Sequence, residues 1–173
     1  MMKKILVVID MQHDFIDGAL GTEEAKKIIP FVKAKIEEYC QNGHEIIFTK
    51  DTHGQNYLST QEGKILPIAH CIKGTKGHDI IPDLCTTGRQ IFEKPSFGSL
   101  ELAQKIASYK NISEIELCGL CTDICVVSNA LILKAILPET KITIDSRACA
   151  GVTPETSNAA LITMKMCQIN IIN

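Results

Sequence analysis

With 173 residues, 45% of them apolar, the chain is long enough for one domain with a substantial core. Its net charge of −2, with the signs dispersed, gives no electrostatic case for nucleic acid or an anionic membrane as partner. No apolar run approaches the roughly 20 residues that span a bilayer, and the stretch after Met1-Met2-Lys3-Lys4 reads as a strand rather than a signal peptide.

Residues 5–9 form a continuous apolar run ending in Asp10, the pattern of a central strand covered on both faces. After the breaks at Gly18 and Gly21, Ile28, Ile29, Val32, Ile36 and Tyr39 recur at helical spacing, with Pro30 near the helix start and Gly43 ending it. A second strand spans 44–49 and leads into Lys50-Asp51-Thr52-His53. From Gly54 to Gly88 there is no strong period, and a span that long suggests a functional insertion at the site's edge. Residues 91–94 form a short strand stopped by Pro95. Leu100, Ala103, Ile106 and Ala107 follow at helical spacing.

A fourth strand spans 115–120, and a nearly all-apolar helix spans 123–137, which must be covered all round, by a partner subunit among other things. Thr122 is placed to cap that helix. Cys125 would then lie in its first turn, where unpaired N–H groups and the helix dipole favour a thiolate. A fifth strand spans 141–145, Thr153-Pro154-Glu155 opens another helix, and a sixth strand spans 168–172. The alternation predicts a three-layer α/β/α fold with a central, mostly parallel six-stranded sheet. A single domain over 1–173 is expected, with the insertion at about 52–88. Several of the eight cysteines (Cys40, Cys118 and Cys167) sit inside apolar patterns, so a reduced, cytoplasmic protein is expected.

In parallel α/β sheets ligands sit beyond the carboxyl ends of the strands. Asp10, Asp51, Lys94 and Cys125 all fall at or just past such ends. An acid, an ammonium and a thiol converging there make a nucleophilic site: Asp10 takes the thiol proton, and Lys94 keeps Asp10 charged and lowers the thiol pKa. The backbone N–H groups of Cys121 and Cys125 are candidates for an oxyanion hole. Each residue also has an ordinary structural reading: Asp10 as a turn residue, Lys94 as a solvated strand end, Cys125 as a small buried hydrophobe.

Three segments carry a family resemblance: Val8-Ile9-Asp10-Met11-Gln12-His13-Asp14-Phe15, Glu93-Lys94-Pro95-Ser96-Phe97 and Gly119-Leu120-Cys121-Thr122-Asp123-Ile124-Cys125-Val126. In this order, and with Ala150-Gly151-Val152-Thr153-Pro154-Glu155, they resemble the cysteine hydrolases of the isochorismatase-like superfamily, nicotinamidases especially. The resemblance implies an Asp10-Lys94-Cys125 triad and a cis peptide at Leu120-Cys121 that aims the Cys121 N–H into the oxyanion hole. It also implies hydrolysis of a small-molecule amide, nicotinamide, to acid and ammonia through a thioester. It further implies a divalent metal on Asp51, His53 and His70, with Glu62 in place of the third histidine of other members. Zinc suits such ligands best, with manganese and iron as alternatives. Phe15, Leu20 and Phe97 would line the substrate pocket, and Cys121 stands where many members have alanine.

Three other readings remain open at this point. Cys118, Cys121 and Cys125 could ligate a metal or iron–sulfur cluster. The chain could be a non-catalytic interaction protein. It could also be a relative acting on another amide, an N-carbamoyl compound or an isochorismate-like ether. The apolar helix after Cys125 points to a homo-oligomer.

Overall fold

The computed structural model describes residues 2–173. Six strands form one sheet: β1 (Lys3–Ile9), β2 (Glu45–Asp51), β3 (Gln90–Lys94), β4 (Ile112–Leu120), β5 (Lys141–Ala150) and β6 (Asn170–Ile172). Their order is β3-β2-β1-β4-β5-β6, and all five pairings are parallel. The order reverses at β1. The right-handed rule for parallel crossovers then puts α3 (Ile29–Gln41) on one face and α5 (Leu100–Ala107), α6 (Val127–Ile136) and α7 (Pro154–Met166) on the other. Ile5 through Ile9 are fully buried, as expected of a strand covered on both faces. Among the described residues no helix is long and apolar enough to cross a membrane.

The local signals operate as their chemistry dictates. Pro30 sits in the first turn of α3, where a missing N–H is harmless. Thr153 caps α7 by accepting from the Thr156 N–H, with Pro154 next to it. Gly43, at φ +65°, turns the chain out of α3 into β2.

Four local expectations need correction. Thr122 does not cap a helix: its Oγ1 is buried without a hydrogen-bond partner. Residues Thr122–Val126 instead form a wide π-type turn, and α6 starts only at Val127. The fifth strand runs on to Ala150, past Asp145, Ser146 and Arg147, because a register shift lets it rejoin β4 at Gly119 and Leu120. The insertion is not irregular throughout. It holds a 3₁₀ turn (Tyr57–Ser59), the short helix α4 (Gln61–Ile65) and a second 3₁₀ turn (Lys76–His78). Two further short helices, α1 (His13–Ile16) and α2 (Glu23–Lys27), fill the stretch after Asp10. Helices this short carry too few periodic positions to register as a pattern.

Candidate active site

β1 and β4 flank the point where strand order reverses, and the crevice beyond their carboxyl ends is the expected ligand position. Asp10 leaves β1 at φ +48°, a left-handed conformation that aspartate tolerates better than most residues. Gly119, one strand over, has φ +114°, and a Cβ there would lie 2.1 Å from the Ile9 carbonyl oxygen. Only glycine lets β4 approach β1 this closely. The Leu120-Cys121 peptide is cis.

Lys94, brought alongside by the pairing of β3 with β2, joins the two loops. Its Nζ lies 2.6 Å from Asp10 Oδ2, 3.4 Å from Cys125 Sγ and 3.6 Å from Asp51 Oδ1. Asp10, Lys94 and Cys125 are all buried, so the solvated reading of Lys94 does not hold. Burial disfavours the ammonium, but Asp10, Cys125 and Asp51 outweigh it and raise the Lys94 pKa, so the side chain is a fixed cation. Burial pushes the Asp10 carboxyl up, with Lys94 opposing, which is the direction wanted of a base.

Cys125 departs from expectation. Burial and the Asp10 carboxylate raise its pKa well above the ordinary thiol value, against the pull of Lys94. A desolvated thiol facing carboxylates is held protonated, whatever a nearby helix terminus contributes. A thiol must hand its proton to a base, and Asp10 is the carboxylate that Lys94 joins to the sulfur, its Nζ 2.6 Å from Asp10 and 3.4 Å from Cys125.

Beside this cluster stands a second one. Ligand atoms of Asp51, His53, Glu62 and His70 all lie within 4.8 Å of one another. His53 Nε2 is 2.9 Å from Asp51 Oδ2 and 3.7 Å from Glu62 Oε1; His70 Nε2 is 3.5 Å and 3.7 Å from the same two oxygens. His70 Nδ1 donates to the Ile68 carbonyl at 2.8 Å, which orients the ring so that Nε2 faces the cluster. Two imidazoles and two carboxylates converging in this way fit a divalent cation. His78 is not part of the group; it pairs with Thr52 Oγ1 at 2.9 Å.

Between the clusters lies a cavity of about 320 Å³, enough for a small ring compound. Phe15, Leu20, Phe97, Ile124 and Leu120 form its apolar wall, while Cys125, Cys121, Asp51, Glu62 and His70 face it from both sites. The three-thiol ligand set does not assemble. Cys118 is fully buried in β4, whereas Cys121 and Cys125 face the cavity, and among the described residues the histidine–carboxylate group is the one cluster with metal-ligand geometry.

Several residues that hold the site were not singled out from the sequence. Thr49 Oγ1 donates to Asp10 Oδ1 at 2.6 Å and accepts from the Asp10 backbone N–H at 3.2 Å. Gln12 Oε1 accepts from the Asp51 N–H at 2.7 Å, and its Nε2 donates to the Asp51 and His78 carbonyls, both at 2.9 Å. Tyr57 packs against both imidazoles, with ring centroids 4.7 Å from His53 and 4.9 Å from His70. Asp123 accepts from the Val152 N–H and from Thr156 Oγ1, tying the Cys125 turn to the start of α7. The signal available for Thr49 and Gln12 was position alone: both flank strand ends that carry candidate site residues.

The isochorismatase domain family matches residues 4–173. An isochorismatase family protein of Bacillus subtilis strain 168, PncA, is 30% identical over 144 residues, covering 75% of this chain and 78% of that one. Among solved structures, the pyrazinamidase of Pyrococcus horikoshii in complex with zinc is 31% identical and superposes with a TM-score of 0.85 over 99% of both chains. The nicotinamidase/pyrazinamidase PncA from Bacillus subtilis is 28% identical with a TM-score of 0.86, over 99% of this chain and 100% of that one. A match in sequence that runs from the first strand to the last residue, together with a shared fold over almost the full length, makes this chain a member of the isochorismatase family.

Proposed function

We propose that the chain is a nicotinamidase, an amidohydrolase that converts nicotinamide to nicotinate and ammonia through a thioester on Cys125. One observation carries the reading: Lys94 Nζ touches both Asp10 and Cys125 at a cavity of about 320 Å³ whose wall shares Asp51, Glu62 and His70 with a metal-compatible cluster.

Asp10 takes the Cys125 proton as sulfur attacks the amide carbonyl, and Lys94 balances the negative charge through the proton transfer. The developing oxyanion is met by the Cys121 and Cys125 backbone N–H groups. As the C–N bond breaks, Asp10 returns the proton to the leaving nitrogen and ammonia departs. Asp10 then deprotonates a water that attacks the thioester, releasing nicotinate and restoring the thiol. Phe15, Leu20 and Phe97 sandwich the ring and exclude bulk water. Asp51, His53, Glu62 and His70 would hold a divalent ion, which supplies a Lewis-acid anchor for the pyridine nitrogen. Zinc is the ion of this proposal. The histidine and carboxylate donors suit it, and the similar Pyrococcus horikoshii pyrazinamidase was solved with zinc.

The proposal treats residues 1–173 as one catalytic domain with the segment at about 52–88 as the rim of its site, acting in a reducing cytoplasm. It includes self-association through exposed apolar positions such as Ile136 on α6 and Ile162 and Met166 on α7, which light scattering of the purified protein tests.

Zinc-loaded protein assayed for ammonia release from nicotinamide, pyrazinamide and an N-carbamoyl compound tests the reading. Turnover of the two ring amides that disappears in Cys125→Ala is the expected result. Failure on both, with turnover of the N-carbamoyl compound, overturns the substrate; activity that survives in Cys125→Ala overturns the mechanism.

A further inference from the structure

The wide turn that carries Cys125 and the loop that follows Lys94 leave different strands, β4 and β3, yet Lys94 must sit against the Cys125 sulfur. A single buried side chain on α6 spans the two. Asn129 Nδ2 donates to the Cys125 carbonyl at 2.8 Å and to the Phe97 carbonyl at 3.1 Å, while its Oδ1 accepts from the Ser99 N–H at 3.0 Å. Both N–H donors and the carbonyl oxygen are engaged, and all three partners are backbone groups. Two lie on the loop between Lys94 and α5; the third belongs to the nucleophile itself.

We propose that Asn129 is a positioning residue for the hydrolysis assigned above: it sets the Lys94–Cys125 separation and the placement of the Phe97 ring at the cavity wall. The geometry argues for this role over ordinary packing in two ways. A helical side chain at this position normally faces the core with apolar atoms, and α6 is otherwise apolar on its buried side, at Ala130 and Leu133. Lys94 also donates to the Ser96 carbonyl at 3.2 Å, so the loop that Asn129 grips is the one that the lysine itself leans on. Releasing the grip lets the Pro95–Ser99 backbone and the Cys125 turn move independently, and a displacement of about 1 Å between reacting groups can lower a rate about 100-fold.

The test uses the full chain with Asn129→Ala, which loses all three bonds, and Asn129→Thr, whose hydroxyl can still donate to the Cys125 carbonyl four residues back. Glu114→Gln serves as a control: far from the site, it removes the carboxylate that pairs with Lys4 at 2.9 Å and Lys141 at 2.8 Å and leaves the Asn129 contacts in place. The readouts are kcat and KM on nicotinamide, Tm, and the rate at which iodoacetamide alkylates Cys125. The alkylation needs no substrate, so it reports on the proposal even if nicotinamide proves not to be turned over.

The expected result is a kcat about 10- to 100-fold lower in Asn129→Ala with KM changed less than about 3-fold, a parallel fall in alkylation rate, and partial recovery in Asn129→Thr. Glu114→Gln lowers Tm with kcat and alkylation unchanged. The proposal is overturned if Asn129→Ala alkylates and turns over like wild type. It is equally overturned if Glu114→Gln loses activity in proportion to its Tm, since stability alone would then explain the effect. Should Asn129→Ala fail to fold, Asn129→Thr decides: an alkylation rate equal to wild type overturns the proposal, and a reduced one supports it.

Discussion

Replacing Lys94 by methionine removes the one cation buried among Asp10, Asp51 and Cys125 while keeping most of the side-chain volume. Its separations of 2.6 Å from Asp10 and 3.6 Å from Asp51 correspond to Coulomb attractions of about 6 and about 5 kcal/mol at an effective dielectric of 20. Desolvation of the three charged groups offsets much of this, and removing one partner of a buried pair typically costs about 3–5 kcal/mol. In a domain of this size Tm should fall by about 10 °C or more. The cost comes from stranded carboxylates, which makes a second substitution informative. Asp10→Asn beside Lys94→Met removes one stranded charge and should recover at least about 2 kcal/mol, although both variants hydrolyse no nicotinamide. Urea denaturation of the four members of the cycle, with ammonia release measured on each, checks the scheme. A double variant less stable than Lys94→Met, or a Lys94→Met protein as stable as wild type, would refute the electrostatic reasoning.

Further outcomes follow from other parts of the molecule. Stripping divalent metal with a chelator should abolish ring-amide hydrolysis and added zinc should restore it, with about one ion per chain by elemental analysis; His53→Ala or His70→Ala, each removing a ligand, should weaken metal retention by more than the roughly 10- to 100-fold that loss of an outer partner costs. Gly119→Ala forces a Cβ to 2.1 Å from the Ile9 carbonyl at a φ of +114°, so it should destabilise by more than about 2 kcal/mol or yield insoluble protein, read by the soluble fraction and a urea midpoint.

Far from the site, Glu114 sits between Lys4 at 2.9 Å and Lys141 at 2.8 Å and accepts from Thr143 Oγ1 at 2.7 Å. Burial opposes its charge, but these partners win and lower its pKa from 4.5 to about 2. A depressed carboxylate pKa contributes stability that is present above the unfolded value and lost as pH falls toward the folded one. Urea midpoints should therefore drop more steeply between pH 4.5 and about 2 in wild type than in Glu114→Gln; equal slopes would remove Glu114 from the account.

The sequence was informative where structure is local. An unbroken apolar run such as 5–9 has few alternatives to a buried strand, and Thr153-Pro154 or Gly43 announce helix ends by backbone chemistry that depends on no distant partner. Alternation of strands and helices, with handed crossovers, then forces the parallel sheet and brings Asp10, Asp51, Lys94 and Cys125 to one edge. What remained hidden was set by packing. Thr49, Gln12 and Asn129 look like ordinary polar residues until the fold supplies the backbone groups that they bond.

Thr122 shows the limit in the other direction: its type and position suit a cap, but the turn that carries Cys125 is wide, and the hydroxyl is buried unused. The protonation state of Cys125 is the deepest of these tertiary effects. A helix start next to a cysteine argues for a thiolate, yet the interior that closes over the sulfur, with Asp10 beside it, reverses the sign. Chain order thus determined which groups meet, because element type and handedness are properties of short stretches. The ionisation of those groups was decided only by the tertiary structure, because desolvation depends on every atom that excludes water from them.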